Sequence, residues 1–337
     1  MKKCVLFKKL TSNKVKCLAC NHYCTIAETK TGICGVRKNI KGKLYLLVYD
    51  KVVAQNIDPI EKKPLYHFLP GTKAYSIGTV GCNFFCKGCQ NWDISQERKI
   101  IGKELTPKEI VNDAIKNKCK SIAYTYNEPS IFIEFVKATA ILAHKKGLKN
   151  ILVTNGYLSK ESLAYIGKTV DAMNIDLKSF SEKYYKKFCG AKLKPVLDTI
   201  KLAHKKKIWI EITTLLVPNE NDSVKELINI GQFIASVNKN IPWHISRFFP
   251  MYKMTNKKET DIKKLEEAYK IGKKYLNFVY VGNLHKENNT LCPKCGSIVI
   301  DRFGYNVKNN LNNNKCKKCN SKVSGVYESN KISKKSN

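Results

Sequence analysis

The chain has 337 residues, 43% of them hydrophobic, and a formal net charge of +34. That is enough apolar material for a folded catalytic core with small appendages, and too much for a disordered chain. No apolar run reaches the ~20 residues that a membrane-spanning helix needs. The basic start, Met1 to Lys8, breaks before a signal-peptide core forms, so a cytoplasmic protein is expected.

So positive a chain attracts polyanions, and nucleic acid or an acidic protein are both candidate partners. A solvated, lysine-rich surface is the plainer reading. No basic block alternates with aromatic residues as a base-stacking platform would, so nucleic acid is not favoured. Eleven of the 14 cysteines fall into three metal-like groups, which points to a reducing compartment rather than to disulfides. Cys4, Cys119 and Cys189 are left over and are expected to be small buried hydrophobes.

In chain order, Cys17, Cys20, Cys24 and Cys34 come first, at C-x2-C-x3-C-x9-C. Four soft ligands in so short a stretch can enclose a tetrahedral zinc ion, whose binding would supply folding energy. A second iron–sulfur cluster and free thiols are the alternatives. Residues 42–49 read as the second arm of a β-hairpin. Residues 58–67 read as a proline-bounded linker into the core. The expected units are 1–64, a core over 65–286, and a C-terminal module over 287–337.

From residue 74 short apolar runs alternate with helical periodicity. Strands are expected at 74–80, 121–126, 150–155, 172–178, 209–218, 242–250 and 278–283. Helices are expected at 106–117, 130–146, 159–168, 194–206, 223–238 and 261–275, with Ser130 capping the second and Gly147 marking its end. This alternation specifies an α/β fold with a parallel sheet. Six or seven such units suit a curved, incomplete (β/α)6-type TIM barrel, whose reactive groups lie at the C-terminal ends of the strands.

One cysteine group stands at that place. Cys82, Cys86 and Cys89, at C-x3-C-x2-C, directly follow the first of these strands. A [4Fe–4S] cluster normally takes four thiolates, so three leave one iron open to a ligand. Zinc or chance clustering would be the alternatives. Polar residues end the later strands. Glu128 is either a ligand contact or a helix cap. Thr154 and Asn155 end the third strand. Asp176 and Lys178 share one face at period two, and inward charges of that kind are seldom left unpaired. His244 lies on one face with Ser246; it is either structural or a contact to cofactor or substrate. At the C-terminus, Cys292, Cys295, Cys316 and Cys319 form C-x2-C-x20-C-x2-C, the spacing of a zinc ribbon. The last residues, 331–337, read as a disordered polar tail.

The cysteine motif resembles the signature of radical S-adenosylmethionine (SAM) enzymes. With residues 58–67, 81–96, 123–129, 154–157, 174–178 and 243–250, it resembles the radical SAM enzyme of the AmmeMemoRadiSam system, a family similar to the pyruvate formate-lyase activating enzymes. The resemblance covers nearly the whole chain and implies a [4Fe–4S] cluster on Cys82, Cys86 and Cys89, with SAM as its ligand. It implies that Thr154 and Asp176 lie at a monovalent-cation site beside SAM and that Lys178 contacts SAM, while Glu128, Asn155 and His244 are further candidate contacts read from their places on the strands. It also implies a low-potential electron donor such as ferredoxin or flavodoxin, and AMMECR-type and Memo-like proteins as partners. Two positions depart from the pattern. Gly88 stands where an aromatic residue usually precedes the third cysteine, which would leave adenine packing to Phe85 or Trp92. Val153 stands where the activators have an aspartate. The implied activity is hydrogen abstraction from a protein or a small molecule, including the activation of a glycyl-radical enzyme. Modification of RNA is the alternative enzyme. A non-catalytic zinc scaffold would leave the three-cysteine loop unexplained.

Overall fold

The computed structural model describes residues 1–328. The tail expected at 331–337 lies outside the described residues. The centre is an eight-stranded sheet, β1 (Ala54–Pro59), β2 (Lys73–Gly78), β3 (Ser121–Tyr124), β4 (Lys149–Thr154), β5 (Ala172–Asp176), β6 (Trp209–Leu216), β7 (Trp243–Arg247) and β8 (Val279–Gly282). Neighbours in space are neighbours in sequence, so β1 and β8 are the two open edges. The seven strands from β2 onward are parallel, and β1 runs antiparallel to β2 with Ala54 opposite Gly78 and Pro59 opposite Lys73. The sheet is the expected incomplete barrel. The expected linker is corrected in part: its first two residues, Asp58 and Pro59, close an edge strand, where a proline costs no ladder bond that a neighbour needs.

Six helices return the chain between the parallel strands: α1 (Pro107–Lys116), α2 (Ile133–Lys145), α3 (Lys160–Ile166), α4 (Leu193–Lys205), α5 (Val224–Asn238) and α6 (Ile262–Lys273). Their starts follow from capping chemistry. Thr106 and Glu109 form a reciprocal capping box at α1, and Ser159, Ser223 and Asp261 cap α3, α5 and α6. At α2 the expectation fails. Glu128, not Ser130, supplies the side-chain cap, to a 3-10 turn over Pro129–Phe132 that leads into the helix. The helices bury one face each against strands that are buried on both, and each enclosed Ile, Leu or Val stabilises the fold by roughly 1.5–3 kcal/mol. Among the described residues no helix is long and apolar enough to cross a membrane.

Two cysteine-bearing appendages sit at opposite ends of the barrel. The N-terminal one contains two small antiparallel sheets, one with Arg37–Ile40 paired to Lys43–Leu46 as the expected hairpin. It rests on the loop after β4 and on α3: Asn21 donates to the Leu158 carbonyl at 2.6 Å, and Ser162 to that of Ala19 at 2.6 Å. The C-terminal one is a three-stranded antiparallel sheet of Thr290–Leu291, Ile298–Phe303 and Asn306–Asn309. It closes the other end, where Arg302 donates to the Tyr66 carbonyl at 2.8 Å and Val326 N–H to that of His67 at 2.7 Å.

Candidate active site

The cysteine loop leaves β2 at its C-terminal end and is held from three sides. Phe84, fully buried, packs edge-on against Tyr157 and Tyr185. Asn127, beyond β3, donates to Thr79 Oγ1 and to the Gly81 carbonyl, both at 2.9 Å. On the far side, the Phe85 and Lys87 amides donate to the carbonyls of Cys189 and Phe188 at 2.9 and 3.1 Å. Those two residues end a π-helical turn, Tyr185–Cys189, in the connection between β5 and α4. Gly81 is required at the loop's start. Its φ is +86°, and a Cβ there would stand 2.6 Å from the Cys34 carbonyl oxygen of the N-terminal appendage.

Within this loop the Cys82, Cys86 and Cys89 thiols lie within electrostatic reach of one another. Cys82 is buried, while Cys86 and Cys89 are half-buried. Hydrogen bonding from the Cys189 thiol holds the Cys86 thiol down at about 7; burial opposes this, and the nearby Lys178 ammonium assists it. A lowered thiol is the ligating form, so the surroundings of Cys86 favour metal binding. Lys178 Nζ is paired with Asp176 at 2.8 Å. Burial works against its charge, but Asp176 and the neighbouring thiols hold its pKa well above the ordinary lysine value. The two strand-end charges expected to share a face thus form one ion pair opposite the cysteine loop.

Glu128 is fully enclosed. It accepts from Thr154 Oγ1 at 2.9 Å, from Asn155 N–H at 2.8 Å and from Ser130 N–H at 3.0 Å. Burial pushes its carboxyl up, against those hydrogen bonds. Glu128 and Thr154 therefore engage each other, and Asn155 reaches from them to the cysteine loop by donating to Asn83 Oδ1 at 2.8 Å. His244 is elsewhere. It lies at the start of β7, bonded to Glu211 at 2.7 Å and stacked on Tyr280, at the end of the barrel that the C-terminal appendage closes. The structure brings Asp176, Lys178, Glu128, Thr154 and Asn155 around the cysteine loop, and leaves His244 out.

The departure at Gly88 has a packing cause. A Cβ at this position would stand 3.1 Å from Met254 Sδ and 3.2 Å from Phe248 Cε2, so these two side chains fill the space of the usual aromatic residue. Phe85 and Trp92 both remain about half exposed, with Trp92 stacked on Tyr252 at 5.2 Å. Nothing in the sequence marks Asn83 or Asn127 for the site, and Cys189 is expected there only as a small buried hydrophobe. Cys189 lies 103 positions beyond Cys86 with no spacing pattern to tie them.

At the far end, the Cys292 and Cys319 sulfurs are 3.5 Å apart and those of Cys295 and Cys316 3.7 Å apart. All four lie within 4.8 Å of one another. Four sulfurs at about 2.3 Å from one tetrahedral ion stand about 3.8 Å apart, so this group fits a single metal ion. Among the described residues no other three cysteine, histidine or carboxylate ligand atoms converge so closely, neither at Cys82, Cys86 and Cys89 nor at the N-terminal four.

Residues 76–230 match the family model of the radical SAM superfamily. The chain is 44% identical over 96% of its length to an uncharacterized protein of Methanocaldococcus jannaschii, covering 99% of that protein. It is 30% identical, over 60% of its length and 77% of the relative's, to a protein of the same organism named as a candidate glycyl-radical enzyme activating enzyme. The pyruvate formate-lyase-activating enzyme of Staphylococcus epidermidis is 24% identical over 62% of this chain and 90% of that enzyme. In fold, the chain is similar to Streptococcus suis SuiB bound to precursor peptide SuiA, with a TM-score of 0.50, 16% identity, and coverage of 67% of this chain and 52% of that one. A three-cysteine loop at the C-terminal end of a parallel barrel, a family model over most of that barrel, and relatives named as activating enzymes over 60% and 62% of the chain agree: the chain belongs to the radical SAM superfamily, and is an enzyme of that class.

Proposed function

We propose that Cys82, Cys86 and Cys89 hold a [4Fe–4S] cluster whose open iron takes SAM, and that the enzyme abstracts a hydrogen atom from a protein or small molecule, as an activator of a glycyl-radical enzyme would. One observation carries this reading: the Asp176–Lys178 pair stands on the strand end facing Cys86, placing fixed charge of both signs beside the three thiols. SAM bears an amino and a carboxylate group that such a pair can orient. Bound there and given one electron, the cluster would supply the 5′-deoxyadenosyl radical that abstracts hydrogen. The chain's own work is positional. Phe84 and the Tyr185–Cys189 turn anchor the loop, Asn155 ties it to Thr154 and Glu128, and Phe248 and Met254 close its side against water.

The electron comes from a low-potential donor of the ferredoxin or flavodoxin kind, in a cytoplasmic setting. The four C-terminal cysteines hold zinc in this reading, supported by their sulfur spacing. AMMECR-type and Memo-like proteins are the candidate partners.

The test is anaerobic incubation with SAM and a strong reductant, with 5′-deoxyadenosine read by mass spectrometry. The wild-type protein should form it slowly alone and faster with a true substrate. Asp176→Ala and Lys178→Ala should each weaken SAM binding by about tenfold, or about 1.4 kcal/mol, with iron content unchanged. No deoxyadenosine from protein with a full cluster and bound SAM would refute the reading; unweakened SAM binding in both variants would remove the ion pair from the site.

A further inference from the structure

We propose that Cys17, Cys20, Cys24 and Cys34 hold an iron–sulfur cluster of their own, seated against the cysteine loop, rather than one zinc ion. The first ground is span. Each of the four thiols lies within electrostatic reach of at least two of the others, and Cys17, Cys20 and Cys34 are nearly inaccessible. Yet no three of their sulfurs gather within 4.8 Å, as those of the C-terminal four do. A single ion draws its thiolates together to about 3.8 Å. A [4Fe–4S] cluster binds each thiolate on a separate iron, and a [2Fe–2S] cluster two on each of two irons, so neither draws all four together. The sulfurs of Cys82, Cys86 and Cys89 likewise do not gather within 4.8 Å of one another. The N-terminal four are thus built like the cluster loop and unlike the ribbon, although their sequence spacing suits zinc.

The second ground is a pair of buried donors. Arg37 Nε is a buried N–H group without a partner among the described residues, and Asn83 Nδ2 has none but the Cys20 thiol within its reach. Native structures rarely leave such groups unsatisfied. Both border these thiols. The Arg37 guanidinium acts on Cys17 and Cys34 as well as on Cys4, and the Asn83 amide reaches the Cys20 thiol. Cluster sulfides and bound thiolates accept hydrogen bonds of this kind, which set a cluster's potential.

The third ground is placement. His22, between Cys20 and Cys24, bonds through Nε2 to the Asn83 carbonyl at 2.8 Å. Cys34 presses its carbonyl on Gly81, the residue before Cys82. Asn83 therefore lies between the two groups, and a zinc ion with no redox chemistry would make no use of that proximity.

Counting metals tests the proposal. Iron and zinc per chain are measured in anaerobically reconstituted full-length protein and in the Cys82→Ala/Cys86→Ala/Cys89→Ala variant. The variant should keep about two to four irons, the content of one [2Fe–2S] or [4Fe–4S] cluster, with a reduced-cluster electron paramagnetic resonance signal. A folded variant without iron overturns the proposal. Should the variant not fold, the wild-type protein decides. Iron above about four per chain with a single zinc supports the N-terminal cluster. Iron at or below about four, or two zinc ions, overturns it. The variant lacks the thiols assigned to SAM chemistry, so its iron reports the N-terminal group alone. Loss of turnover leaves this proposal standing, and loss of the residual iron leaves the hydrogen-abstraction reading standing.

Discussion

The two terminal cysteine groups have the same count and open on the same C-x2-C pair, and the fold treats them in opposite ways. The C-terminal four converge, with sulfurs 3.5 and 3.7 Å apart across the group. They lie beyond the start of the barrel, far from the cysteine loop. The N-terminal four stay wide, are more deeply enclosed, and press on that loop through Cys34 and His22. A ribbon with few residues of its own must be drawn together by its metal. The N-terminal segment is instead pinned by the barrel, through Asn21, Ser162 and Arg37, before any metal enters. Ligand count says that a site exists; what the surrounding chain is fastened to decides its width.

The largest effect that would test this contrast belongs to the ribbon. Replacing Cys316 and Cys319 by Ser should release its metal and with it most of the ribbon's folding energy, on the order of 10 kcal/mol by analogy with zinc-finger peptides. The damage should stay local. Hydrogen exchange should show Ile298–Phe303 losing protection while β3, β4 and β5 keep theirs. Loss of protection through the barrel would mean that the two parts fold as one unit. Next in size is Arg37→Ala. Arg37 is bound to Glu134 on α2 by two short bonds, at 2.8 and 2.6 Å, and both groups are buried. Removing the cation leaves a carboxylate enclosed without its partner, at a cost of about 3–5 kcal/mol. Thermal unfolding should fall accordingly, with the ribbon metal retained. A change within about 0.5 kcal/mol would show that the N-terminal segment is not fastened to the barrel as described.

These contrasts mark what sequence reading can reach. The seven parallel strands were legible because each is a short apolar run ended by polar residues, and helical stripes separate them. β1 was not, because Gln55, Asn56 and Pro59 dilute it and an edge strand needs no apolar alternation. Period two correctly placed Asp176 and Lys178 on one face, and the structure pairs them. The same rule placed His244 beside Ser246 but carries no information on height along the barrel, which is what separates His244 from the cysteine loop. Ser130 has a capping residue's chemistry, but Pro129 begins a 3-10 turn one residue earlier, and Glu128 takes the role. Cys189 and Asn83 meet their neighbours only through tertiary contact, and no local pattern announces either.

The smallest effect is a pH slope confined to the ribbon end. His67 is buried there, between the Ser324 carbonyl at 2.7 Å and the Tyr280 hydroxyl at 2.6 Å. Burial lowers its pKa to about 4; Glu211 pulls the other way, and Arg302 adds to the lowering. The unfolded chain would titrate this histidine near 6.5. Between these values the unfolded state binds a proton that the folded state refuses, so stability falls as the pH drops from about 6.5 toward 4, by at most about 1.4 kcal/mol per pH unit. Below the folded value the loss stops growing. The Arg37–Glu134 pair at the other end contributes only at the acid limit of this window, near the ordinary glutamate value of about 4.3. There the unfolded carboxyl protonates while the folded one, held down by Arg37 against its burial, stays ionised; that contribution is common to wild-type protein and variant. Melting should therefore be followed anaerobically from pH 7 to 4.5 for wild-type protein and His67→Phe. The variant should be less stable at pH 7, having lost two hydrogen bonds, but should show the shallower slope. Acid lability of the metal centres is common to both proteins and cancels in the difference. Equal slopes would place the acid-sensitive contact away from the ribbon and undo the assignment of this end of the barrel as the one that a proton loosens.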